Sequence, residues 1–120
     1  MKKILVVDDD EMNLKIASFI LEQNHYYVDT ASSGMECLAY LKSASVDLIL
    51  LDVEMPVMNG IRTLELIREN GDLPWIPVMF LTADATESTV MAAGELDAAG
   101  YLKKPYLPDD LLERVQKIIG

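Results

Sequence analysis

The chain reads as an α/β domain: an open, doubly wound parallel sheet of five strands with helices on both faces. Three observations predict this. Short apolar runs alternate with longer helical stretches along the 120 residues. Most of the runs are apolar at every position, as strands buried on both faces of a parallel sheet must be. Five such units are too few to close an eight-fold barrel, so the sheet stays open.

The elements follow in order. Ile4-Leu5-Val6-Val7 is a buried strand, and residues 11–24 are a helix with Leu14, Ala17, Ile20 and Leu21 at helical spacing. Tyr26 to Ala31 is a more polar strand, which suits a sheet edge. Gly34 to Lys42 is a helix with Met35, Leu38 and Leu41 on one face. Leu48-Ile49-Leu50-Leu51 is a fully apolar strand. Ile61 to Glu69 is a helix stopped by Asn70-Gly71. Val78-Met79-Phe80-Leu81 is the fourth strand, set off by Pro74 and Pro77. Ala85 to Glu95 is the fourth helix, with Asp84 in the N-cap place and Glu87 in the capping-box place. It is weakly amphipathic, with few large apolar anchors. Gly100 to Lys103 is a short fifth strand, and Asp109 to Ile119 is a closing helix with Leu111, Leu112, Val115, Ile118 and Ile119.

Composition excludes several classes. A chain that is 51% hydrophobic and 25% charged is globular, not disordered or fibrous. One cysteine, Cys37, excludes an internal disulfide and a Cys-cluster zinc site. The only histidine, His25, sits in a turn with no nucleophile partner. No apolar run approaches the roughly 18 residues of a membrane span, and the start is too short for a signal peptide, so a cytoplasmic location is expected. A net charge of −10 repels phosphate backbones and makes direct nucleic-acid binding unfavourable. Divalent cations and basic protein surfaces suit it better.

The informative residues follow the apolar runs. The first strand ends in Asp8-Asp9-Asp10, the third in Asp52 and the fourth in Thr82, and the fifth runs into Lys104-Pro105. Parallel strands all point one way, so these side chains converge on the carboxyl edge, where open α/β sheets bind ligands. Crowded carboxylates repel, and a hard cation such as Mg²⁺ relieves them. A carboxylate can also be a nucleophile that forms an aspartyl phosphate. Phosphoryl transfer needs mainly alignment and charge neutralisation, which an ammonium and a hydroxyl supply. Asp52, on the central strand, is the best nucleophile. Each residue alone has a structural reading: strand-end cap for the aspartates, turn for Thr82, solvated surface for Lys104, packing for Tyr101. Their coincidence on one edge favours function.

Four segments carry a resemblance: Ile4 to Asp10, Asp47 to Gly60, Val78 to Ala83, and Gly100 to Tyr106. In order and spacing they resemble the receiver domain of two-component response regulators, over the whole of 1–120 as a single domain. The resemblance implies a flavodoxin-like fold with strand order 2-1-3-4-5. It implies that Asp52 accepts a phosphoryl group from a histidine kinase or a histidine phosphotransfer protein. Asp8, Asp9, Asp52 and the Glu54 backbone carbonyl would hold Mg²⁺ (or Mn²⁺), Thr82 would be the switch hydroxyl, and Lys104, before a typically cis Pro105, the family's lysine. Tyr101 matches the aromatic switch residue, so the face of the fourth helix, fifth strand and fifth helix would shift on phosphorylation. Glu54 and Asp84 lie where the family tunes dephosphorylation. Asp10 and Glu11 depart from its commoner Glu-then-Pro pair.

On this reading the domain is a phosphoacceptor and not an enzyme with its own turnover. Two rivals stand beside it. An Mg²⁺-dependent phosphohydrolase would use Glu54, two residues after the nucleophile, as general acid. A docking pseudo-receiver would not be phosphorylated, and the complete Asp8, Asp9, Asp52, Thr82 and Lys104 argue against it. The kinase, the downstream effector and phosphorylation-dependent dimerisation are not legible in the sequence.

Overall fold

The computed structural model of the chain describes residues Met1–Gly120. Five strands and five helices alternate: β1 (Lys3–Val7), α1 (Glu11–Glu22), β2 (Tyr27–Ala31), α2 (Gly34–Leu41), β3 (Leu48–Asp52), α3 (Gly60–Glu69), β4 (Val78–Thr82), α4 (Glu87–Glu95), β5 (Gly100–Lys103) and α5 (Pro108–Ile119). The strands form one sheet in the order β2-β1-β3-β4-β5, and every pairing is parallel. The expected fold and strand order are therefore observed, with β2 at an edge.

Strand side chains alternate between faces, so the apolar runs feed two cores. Leu5, Val7, Ile49, Leu51, Val78 and Phe80 pack against Cys37, Leu64, Ile67 and Ala93, from α2, α3 and α4. Ile4, Val6, Leu48, Leu50, Met79 and Leu81 pack against Ala17, Leu21, Leu111 and Val115, from α1 and α5. Each fully buried side chain of this size stabilises by roughly 1.5–3 kcal/mol. β1, β3 and β4 are thus clamped on both faces, and their carboxyl ends are fixed platforms.

Some local expectations are corrected. Asp84 does not cap α4. The Thr86 hydroxyl accepts from the Thr89 N–H at 3.3 Å, so the helix begins at Glu87 and not at Ala85. Met35 is exposed, because α2 turns Gly34, Cys37 and Leu41 inward. Met91, which reads as helix packing, is exposed as well, whereas Thr89 and Ala93 are buried. Trp75, which reads as a loop anchor between Pro74 and Pro77, is exposed, and its ring carries the Arg68 guanidinium at 3.8 Å, a cation–π contact that ties the loop to α3.

Candidate functional site at the carboxyl edge

Asp8 follows β1 directly and is 2% exposed. Its N–H donates to the Ala31 carbonyl (3.1 Å), which carries the β1–β2 ladder one residue further. One carboxylate oxygen accepts from the Asp10 N–H at 2.9 Å. Asp9 is exposed. Asp10 faces away from the acid pair and caps α1, its side chain accepting from the Met12 N–H at 2.9 Å.

Asp52 ends β3 and is also 2% exposed. The chain after it folds back tightly, and the Gly60 N–H donates to the Val53 carbonyl at 2.9 Å. A Cβ on Gly60 would sit 2.2 Å from the Asp52 carbonyl oxygen, so only glycine fits there. Lys104 follows β5, its N–H donating to the Thr82 carbonyl at 2.7 Å. Its peptide bond to Pro105 is cis. From there the ammonium bridges two acids, with Nζ 3.2 Å from Asp8 Oδ2 and 3.1 Å from Asp52 Oδ1.

Thr82 ends β4 with no exposed surface. Its hydroxyl lies 2.6 Å from Glu54 Oε1 and 2.9 Å from the Asp84 carbonyl, and a single proton serves one acceptor at a time. The Glu54 carboxylate also accepts from the Ala83 N–H (3.4 Å) and the Asp84 N–H (3.3 Å). Asp84 thus takes part through its backbone. Tyr101 lies opposite Phe80 in the β4–β5 register. It is half-buried against the core on the α2, α3 and α4 side, and its carbonyl accepts from Arg114 at 2.9 Å.

The electrostatics follow from this crowding. Burial, with the neighbouring charges of Asp8 and Glu54, pushes the Asp52 carboxyl up to about 7 against the pull of Lys104. Burial alone would lower the Lys104 ammonium. The bond and charge of Asp52, with Asp8, outweigh it and hold Lys104 above its ordinary value. Burial also acts on Glu54, but the Thr82 hydroxyl and the Ala83 and Asp84 amides prevail and hold it below the usual carboxylate range.

Oxygen atoms of Asp8, Asp9 and Asp52 all lie within 4.8 Å of one another. A set made only of hard oxygens, two of them buried, suits Mg²⁺ better than a soft metal. The Glu54 carbonyl is left free by the loop's backbone bonds, which run from Met55 N and Gly60 N to the Val53 carbonyl. The roomiest groove lies elsewhere, between α1 and α5, and is lined by Ile16, Phe19 and Leu112. A smaller one reaches the rim at Ala83, Lys104 and Tyr106.

The structure brings together Asp8, Asp52 and Lys104 on one side of the rim, and Thr82, Glu54 and the Asp84 backbone on the other. Tyr101 stands one strand behind Thr82. Sequence reasoning did not single out Gly60, and it placed Glu54 at the site without its side-chain contact. Gly60 holds the turn beneath Asp52, and its signal was Asn59-Gly60 after Pro56. The Glu54 carboxylate bridges to the β4–α4 loop, and nothing in the sequence gives its direction.

A family model for the response regulator receiver domain matches residues 4–116. The alkaline phosphatase synthesis transcriptional regulatory protein PhoP of Bacillus subtilis is 37% identical over 118 residues, 98% of this chain and 48% of that protein. The transcriptional regulatory protein CpxR of Escherichia coli K12 is 39% identical over 119 residues, 99% of this chain and 50% of that protein. The chain spans about half the length of these curated relatives. Among solved structures, the chemotaxis protein CheY4 of Vibrio cholerae superposes with a TM-score of 0.92 at 33% identity, covering 98% of both chains. In sequence and in fold, this chain belongs to the receiver domain family of two-component response regulators.

Proposed function

We propose that the chain, 1–120 as one receiver unit, is a phosphoacceptor switch in which Asp52 takes a phosphoryl group from a phosphohistidine. The observation that carries the reading is the Lys104 ammonium spanning Asp8 and Asp52 at 3.2 and 3.1 Å. A Lys–carboxylate pair buried this far is costly unless it serves a purpose, and here the ammonium stands where a transferred phosphoryl oxygen would arrive.

An Asp52 carboxylate oxygen attacks phosphorus as the P–N bond to the donor histidine breaks. The histidine nitrogen leaves with the electron pair and takes a proton from solvent. Asp52 then carries an acyl phosphate. Lys104 moves its charge from the Asp52 carboxylate to a phosphoryl oxygen, and the Thr82 hydroxyl donates to another. Asp8, Asp9, Asp52 and the Glu54 carbonyl would hold Mg²⁺ (or Mn²⁺), which supplies neutralisation of the crowded acids and of the phosphoryl charge. Drawing in Thr82 shifts the β4–α4 loop, and Tyr101 seats more deeply behind it. The α4–β5–α5 face then changes for a downstream effector. Glu54 and Asp84 set the lifetime of the acyl phosphate. A histidine kinase or a histidine phosphotransfer protein is the donor, and a cytoplasmic location fits that partnership. No helix is long and apolar enough to cross a membrane.

A phosphohydrolase would need Glu54 to hold a proton near neutral pH. Its lowered carboxyl favours the opposite state. The test is labelling with acetyl phosphate and Mg²⁺. One phosphoryl group per chain is expected, and none in Asp52→Asn. Label in Asp52→Asn, or steady release of phosphate from a sugar phosphate, would contradict the reading.

A further inference from the structure

We propose that the Glu54 side chain is a built-in stand-in for the phosphoryl group, occupying the donors that a phosphorylated Asp52 must recruit. The proposal rests on the phosphoacceptor reading above. In the β3–β4 register Asp52 lies opposite Leu81. The next donors along the chain are the Thr82 hydroxyl and the Ala83 N–H, and both point at one carboxylate. Glu54 Oε1 lies 2.6 Å from Thr82 Oγ1, and Oε2 lies 3.4 Å from the Ala83 nitrogen. The Asp84 N–H closes the cradle at 3.3 Å from Oε1. One hydroxyl and two amides converging on paired anionic oxygens form the kind of site that binds a phosphoryl group.

Burial makes the contact consequential. Thr82 has no exposed surface, so its proton needs an acceptor within the protein. Glu54 itself is exposed, and three rotatable bonds let its head swing into solvent, where the carboxylate is readily hydrated. One partner is fixed and the other is free to leave. The Thr82 proton cannot serve Glu54 and a phosphoryl oxygen together, so phosphorylation must displace Glu54. The Asp84 carbonyl, 2.9 Å from the hydroxyl, is the weaker neutral acceptor that remains when Glu54 departs. Glu54 therefore holds the β4–α4 loop in place without a phosphoryl group and raises the threshold for entry of one.

The test uses beryllofluoride with Mg²⁺ as the phosphoryl probe on the whole chain. Glu54→Ala should bind it about tenfold more tightly than wild type, the equivalent of one charge-assisted hydrogen bond released from competition. Glu54→Gln keeps the length and an acceptor, and should fall between the two. Simple charge repulsion by Glu54 would also tighten binding, so the decisive measurement repeats the comparison in Thr82→Ala. There the gain from Glu54→Ala should shrink below about threefold. An undiminished gain in that background would assign the effect to repulsion and overturn the proposal, as would unchanged or weaker binding by Glu54→Ala and Glu54→Gln. A second readout needs no metal or probe: Glu54→Ala should move the Ala83 and Asp84 amide resonances of the free protein, and unmoved resonances would overturn it too. Failure of wild type to bind beryllofluoride at all would instead sink the underlying phosphoacceptor reading.

Discussion

The two sides of the carboxyl rim are built to different standards. Asp8 and Asp52 stand on strands whose apolar residues are almost wholly buried between two helical layers, and Lys104, beyond the half-buried β5, is tied to both by its ammonium. Thr82 also ends such a strand, but the chain beyond it enters an exposed loop and then α4, which buries only Thr89 and Ala93. By contrast α3 buries Thr63, Leu64 and Ile67, and α5 buries Leu111 and Val115. One side of the rim is therefore fixed and the other lightly held. A charge arriving between them moves the side that costs less to move. On the proposed function, the acids and the lysine would define where a phosphoryl group sits, and the hydroxyl side would report its arrival.

The comparison can be broken most severely through packing. Leu50→Ala in β3 should cost about 3–4 kcal/mol in urea unfolding, as core truncations do, whereas Val90→Ala in α4 should stay within about 0.5 kcal/mol. Equal costs would mean that α4 is held as firmly as the sheet. Next comes Lys104→Met, which strands two buried carboxylates without their cation. It should destabilise the metal-free protein by about 2 kcal/mol at pH 8, and by less at pH 5, where Asp52 retains its proton.

Asp52→Asn should act in the opposite direction. Its carboxyl is pushed up to about 7 from an ordinary 3.8. Between those values the native state keeps a proton that the unfolded chain has released, so wild-type stability falls as pH rises through the window. Asp52→Asn removes that fall and should stabilise the metal-free protein by on the order of 1–2 kcal/mol at pH 8, with little gain near pH 4. Thermal melts in chelator across this range check both sign and window. The smallest effect concerns the loop after β3. Val57 is fully exposed at φ 69°, a left-handed conformation that disfavours β-branched residues. Val57→Gly should gain about 0.5 kcal/mol, as relief of strain slightly exceeds the entropy cost of glycine.

How far the sequence disclosed this division varies with the physics involved. Both core layers were legible, because the fully apolar strands Ile4–Val7, Leu48–Leu51 and Val78–Leu81 leave a parallel sheet no other arrangement. The fixed side of the site was legible for the same reason: strand ends dictate where Asp8, Asp52 and Lys104 emerge. The lightly held side was not. Asp84 reads as a cap, but Thr86 takes that role, since two nearby polar residues compete and only backbone direction decides between them. Met35 reads as core, yet α2 is rotated by Gly34 and Cys37, which pack closely because they are small. The Glu54 carboxylate lies on a loop without periodicity, so its reach to Thr82 had no signature at all.

Hydrogen exchange along the whole chain, with and without beryllofluoride and Mg²⁺, tests the division most directly. Amides of α4 should exchange much faster than those of β1 and β3 in the free protein. On adding the probe, changes should concentrate in the β4–α4 loop, α4 and β5. If α4 exchanged as slowly as the core strands in both states, the account of a fixed and a movable side would be contradicted.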